Sequence, residues 1–284
     1  MSISSSAVLV RLNISVWTAN KLDRTATDQV LAYNNAATNA AHVRKNLMVG
    51  TRDLKDISDY SASCRLWHNH MTLPWEDRGS RLLPTSLFLD YKAQQNLRMA
   101  EFNKRVLWFK SNYRQHIQVS KNHSGTLFDE SDYPSEQELE EKFAWHFVVT
   151  PVPASGHFVV DLPAEEMKEM RASCDDDVER RVKDAVKGAW NRLHTTVSEM
   201  STKLVEPEDE SKKKRWHETF VTNAQELCRI LTHLNVTNDP KLEEARKQLE
   251  NTMVGADIDQ IKESPVVRER LKHKVDSILE NFDW

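Results

Sequence analysis

The chain has 284 residues with only 6 glycines and 9 prolines, and a formal net charge of -4. Glycine and proline fall below half of average usage, which excludes the frequent tight turns of a β-sandwich or barrel, and the acidic balance excludes a protein whose whole surface grips a phosphate backbone. With 29% charged residues and a mean hydropathy of -0.64, long helices with solvated faces are expected.

Met1 to Trp17 lacks a basic leader region, and Arg11 and Asn13 interrupt its apolar stretch, so no signal peptide is expected. No run approaches the roughly 18 apolar residues of a membrane span. The expected address is the cytoplasm, with no membrane partner, and the sequons at Asn13, Asn122 and Asn235 read as chance matches. Cys64, Cys174 and Cys228 are too scattered for a disulfide framework and read as buried thiols.

Val8, Val10, Leu12, Ile14 and Val16 alternate with Leu9, Arg11, Asn13, Ser15 and Trp17, the period-two signature of a strand. Its expected partners are distant. Residues 144–150 and 157–162 flank Pro151-Val152-Pro153-Ala154-Ser155-Gly156, so 144–162 reads as a hairpin that completes a small antiparallel sheet.

Nearly all else reads as helix. Residues 23–48 form one expected helix and 53–71 another, followed by an irregular stretch over 72–79. Two long helices carry the strongest periodicity. Over 85–122 the stripe is Met99, Phe102, Val106, Phe109, Tyr113 and Ile117; over 163–205 it runs through Met167, Met170, Cys174, Val178, Val182, Val186, Ala189, Leu193, Val197, Met200 and Leu204. At 1.5 Å per residue each helix would extend on the order of 55–65 Å. One apolar seam on a charged rod needs a partner, and Phe102, Val106, Phe109, Tyr113, Val178, Val182, Val186 and Leu193 are the expected self-association seam. The expected fold is mainly α within an α+β frame, an antiparallel helical stalk or coiled coil with a small sheet near one end.

The charged run 206–215 marks an expected boundary between residues 1–205 and a C-terminal helical subdomain, 206–284. Stripes through Trp216, Phe220, Ala224, Leu227, Leu231 and Leu234, and through Val267, Leu271, Val275, Ile278 and Phe282, predict helices there, with another between them from Asp239 to near Gly255.

Trp67-His68-Asn69-His70 has the letters of an HNH nuclease without its spacing, and Cys64, His68 and His70 lack a fourth metal ligand nearby. Asp175-Asp176-Asp177 would point in different directions on a helix and reads as a solvated face. No P-loop, HExxH, GxSxG or CxxC occurs, so no enzyme activity, cofactor or metal is expected. Trp75, Asp77 and Arg78 mark a candidate interaction loop. Lys212, Lys213, Lys214, Arg215 and Trp216 combine basic charge with a ring, as single-strand binders do, although acidic Glu206 to Glu210 would blunt them. The ending Phe282-Asp283-Trp284 is a candidate partner-binding tail; the competing reading is that Phe282 continues the last helix.

Leu73-Pro74-Trp75-Glu76-Asp77-Arg78-Gly79 with Arg81-Leu82-Leu83-Pro84, Gly125-Thr126-Leu127-Phe128-Asp129 with Asp132-Tyr133-Pro134-Ser135, and Phe143 through Pro151-Val152-Pro153 to Phe158-Val159-Val160-Asp161-Leu162 resemble an uncharacterised family of tailed-phage and prophage proteins. The likeness covers roughly residues 8–175. It implies kinship rather than a reaction, a host-cell setting during infection, and a gene neighbourhood that often holds a MoxR-type AAA+ ATPase. The leading expectation is a non-enzymatic phage interaction or scaffold protein that self-associates, with that ATPase as a possible client. The alternative is a single-stranded-DNA-binding or recombination accessory protein.

Overall fold

The computed structural model describes residues 3–77, 79–157, 163–205 and 216–284. In chain order the elements are α1 (Ile3–Ser6), β1 (Ala7–Ser15), β2 (Asn20–Leu22), α2 (Arg24–Tyr33), β3 (Arg44–Asn46), α3 (Asp53–Met71), β4 (Leu73–Pro74), β5 (Arg81–Pro84), α4 (Phe88–Ser111), α5 (Tyr113–Ser124), α6 (Glu136–Glu140) and β6 (Ala144–Pro151). They continue as α7 (Ala164–Leu204), α8 (Thr219–Leu234), α9 (Pro240–Met253), α10 (Ile258–Glu263) and α11 (Pro265–Asn281). The chain is mainly helical with a small four-stranded antiparallel sheet. Among the described residues no helix is long and apolar enough to cross a membrane.

The expected N-terminal strand is β1. From Val10 onward it alternates strictly, burying Val10, Leu12 and Ile14 and exposing Arg11, Asn13 and Ser15, the pattern of a strand covered on one face. The sheet runs β4-β5-β1-β6. The expected partner segment beginning at Ala144 is present as β6; most of the second hairpin strand, residues 158–162, lies outside the described residues. On its other side β1 pairs with β5, Ala7 opposite Pro84 and Val10 opposite Arg81. Four residues are too few to show a period, which is why β5 is invisible to pattern reading.

Two expected helices are shorter than their periodicity suggests. The helix expected over 23–48 is α2 alone: Asp23 caps it by accepting the Ala26 N–H, and Asn35 adopts φ 49° just beyond its end. The chain then returns as β3, paired antiparallel with β2. The helix expected over 85–122 breaks at Asn112, whose backbone N–H is shared between the Trp108 and Phe109 carbonyls and whose side chain also donates to the Trp108 carbonyl at 2.8 Å. α7 is unbroken for 41 residues, with Glu165 and Glu166 in its first turn, where they favour the positive end of the helix dipole.

The residues divide into two compact units. One comprises Met1–Arg11, Asn69–Tyr91 and Val148–Trp284; the other comprises Leu12–His68 and Lys92–Phe147. In the first, α7 packs on α8, α9, α11 and β4, so residues on both sides of the expected 205/206 boundary share one unit. In the second, Phe102, Phe109, Tyr113, Ile57 and Leu12 share a core with Trp17, Phe143 and Trp145.

Candidate functional site

The seam expected over 85–122 falls on α4 and, at Tyr113, on α5, and most of it is interior. Phe102, Phe109 and Tyr113 are buried, and Val106 packs partly buried against the same core. Phe109 stacks on His116 at 5.2 Å between ring centroids and meets Trp17 and Phe143. The Tyr113 hydroxyl donates to the Pro134 carbonyl at 2.9 Å, and burial, aided by Tyr133 and Glu138, pushes its pKa up. Phe102, Phe109 and Tyr113 are spent on the core of their own unit, and Val106 is partly covered by it.

The seam on α7 is divided. Leu193 is buried together with Ala185, Ala189, Val197, Met200 and Leu204, and every fully buried residue of α7 falls within that stretch. Val178, Val182 and Val186 are half-buried, as are Met167 and Cys174, and Met170 is 37% exposed. Asp177 ties Arg181 by a 2.6 Å ion pair. Asp175 and Asp176 are exposed.

Arg181 is also what holds the candidate loop. It donates to the Trp75 carbonyl at 2.6 Å and lies 5.9 Å from the centre of the Trp75 ring, which is buried. Trp75 is therefore an anchor; Asp77 is exposed; Arg78 lies outside the described residues. Below this loop, Arg192 reaches the carbonyls of Asn69, His70 and Thr72. Arg81 donates to Thr72 Oγ1 at 2.7 Å and to the Asn69 and Thr72 carbonyls. The two guanidiniums thus satisfy carbonyls at the end of α3 that the helix leaves without partners. Burial and the neighbouring Arg81 charge lower the Arg192 pKa to about 10. Burial and Arg192 likewise lower that of His70. Among the described residues, no group of three or more His, Cys, Asp or Glu is placed to share a metal ion.

The basic run Lys212, Lys213, Lys214 and Arg215 lies outside the described residues, while Trp216 packs edge-on against Phe220 at 5.3 Å. The Phe282-Asp283-Trp284 segment folds back on its own unit. Trp190 meets Phe282 at 6.0 Å and Trp284 at 5.5 Å, and Trp284 lies 5.0 Å from His194. The Trp284 indole donates to the Leu279 carbonyl. A cavity of about 460 Å³ beside this cluster is lined by Trp190, Lys241, Glu244, Gln248, Phe282 and Asp283.

Sequence reasoning missed a groove of about 410 Å³ between α3 and α4, with Asp56, Ile57, Lys104, Leu107 and Trp108 among its lining residues. Its tryptophan is held from behind. The Trp108 indole donates to Asp53 Oδ2 at 3.2 Å, and the same oxygen lies 3.1 Å from His116 Nε2. An exposed ring fixed in this way is pre-organised for contact. The only available signal was a Leu107-Trp108 pair out of phase with the inner stripe, which periodicity reading discards as noise. Compared with protein-family models, with curated proteins and with solved structures, the chain matches none.

Proposed function

We propose that the chain is a non-enzymatic interaction protein, a scaffold or adaptor that self-associates through the first half of α7. The supporting observation is the uneven burial of that helix. Its apolar stripe continues without interruption from Met167 to Leu204, yet full burial within the chain begins only at Ala185. The half from Met167 to Val182 keeps a half-covered line of Met, Cys and Val on a rod whose other positions, such as Glu169, Asp176 and Lys183, are solvated. Two such halves, laid antiparallel from two copies, would bury each other's line as a coiled-coil stalk. The resemblance to tailed-phage proteins supplies the proposed setting, an infected bacterial cell, with a MoxR-type AAA+ ATPase as the proposed client.

Light scattering on the full chain tests this reading. The native chain is expected to exceed the 32.9 kDa of one copy, and Val178→Asp to lower the measured mass with an unchanged far-ultraviolet spectrum, because Val178 is outside the fully buried set. An unchanged mass in the variant, or a native chain that stays single at high concentration, would overturn it.

A further inference from the structure

α4 carries a second apolar stripe on the face opposite the buried one. Ala93, Leu97, Ala100, Lys104, Leu107 and Ser111 step by four, three, four, three and four, and all are exposed. At 3.6 residues per turn they fall within about 40° of one line, while Phe102 and Phe109 point the other way. Leu97 is 65% exposed, Leu107 66% and the adjoining Trp108 63%. A single surface leucine is ordinary, but two exposed leucines in one 4-3 stripe, with an exposed tryptophan at its edge, are not.

We propose that this face is a contact between two copies of the chain, their α4 helices antiparallel across a two-fold axis. The stripe is its own complement. One register sets Leu97 opposite the second copy's Leu107, Ala93 opposite Ser111 and Ala100 opposite Lys104, each pair occurring twice as a two-fold contact requires. Small side chains then face every position where a lysine or a polar residue must pass. In the same register Lys104 lies beside the second copy's Glu101, so charge agrees with shape. Lys104 has no ion-pair partner within its own chain among the described residues, whereas Glu101 is shared with Arg105. Trp108 and Leu107, which line the groove against α3, would be covered by the second copy.

The inference rests on the self-association reading and adds to it a contact independent of α7. Cysteine cross-linking tests it, in full-length chains carrying Cys174→Ser so that the remaining native thiols, Cys64 and Cys228, are buried. Ala93→Cys and Ser111→Cys are prepared separately, then oxidised alone and as a mixture. A disulfide-linked dimer is expected in the mixture and not with either variant alone. No dimer in the mixture, or dimers from each variant alone as parallel pairing would give, would overturn the register and the contact. Adding Val178→Asp to both variants separates this contact from the other. A cross-link that survives Val178→Asp belongs to α4. A native mass that falls with Val178→Asp, without any cross-link, leaves the α7 reading standing and removes this one.

Discussion

Asp132 shows how much a single side chain can hold together. Its carboxylate is nearly buried and pairs with Lys21 at 2.5 Å and, more closely still, with Lys45. The loop at 130–132 is thereby clasped to both strands of the β2–β3 pair. Burial alone would raise the Asp132 pKa, but hydrogen bonds and charge from the two lysines outweigh it and the net shift is downward. A carboxyl depressed in the folded state stabilises that state above its unfolded-state pKa, and the stabilisation disappears as pH falls through the folded-state value. Asp132→Asn should therefore cost about 1–3 kcal/mol near neutrality. Urea unfolding of native and variant chains should converge once the pH is well below the carboxylate range; a constant difference would assign the loss to packing instead. The sequence offered Asp132 only as a letter in a family-specific string. Its partners lie at residues 21 and 45, and nothing in local spacing reports an ion pair closed over such separations.

At the scale of elements, periodicity is readable where a helix is long and uninterrupted and misleads where a polar side chain intervenes. The 41 residues of α7 and the buried stripe of α8, from Phe220 to Leu234, follow their patterns closely. At Asn112 the backbone N–H is shared between the Trp108 and Phe109 carbonyls, a local tightening that a stripe running on to Ile117 conceals. β4 and β5 are too short to alternate at all. Helix packing against such short strands depends on close backbone approach, and Gly188 is where α7 meets β4. A Cβ there would sit 2.9 Å from two ring carbons of Pro74, and a pyrrolidine ring cannot swing aside. Glycine to alanine inside a helix ordinarily gains about 1 kcal/mol. Here the clash should reverse the sign, so Gly188→Ala is expected to destabilise by about 1–3 kcal/mol. A variant that melts higher than the native chain would mean that α7 and β4 are not in close contact.

For the whole molecule, a linear reading places one boundary at 205/206, whereas the compact units interleave along the chain. Composition and periodicity describe neighbours in sequence and cannot show that residues 12–68 and 92–147 fold together. They also cannot tell a stripe that is consumed inside from one left open. Phe102 and Phe109 have the better pattern and are consumed; Leu97 and Leu107 have the poorer one and remain exposed. Two distinct two-fold contacts on one chain, through α7 and through α4, would carry assembly beyond a dimer. Because assembly stabilises only folded copies, melting must then depend on protein concentration, rising on the order of 2 °C for each tenfold increase. Val178→Asp and Leu107→Glu should each reduce that slope, and the double variant should abolish it. Scanning calorimetry over a hundredfold range of concentration measures the slope directly. A native chain with no slope would mean that the open stripes are covered by some other molecule, and a slope that persists in the double variant would place the assembly contact elsewhere on the surface.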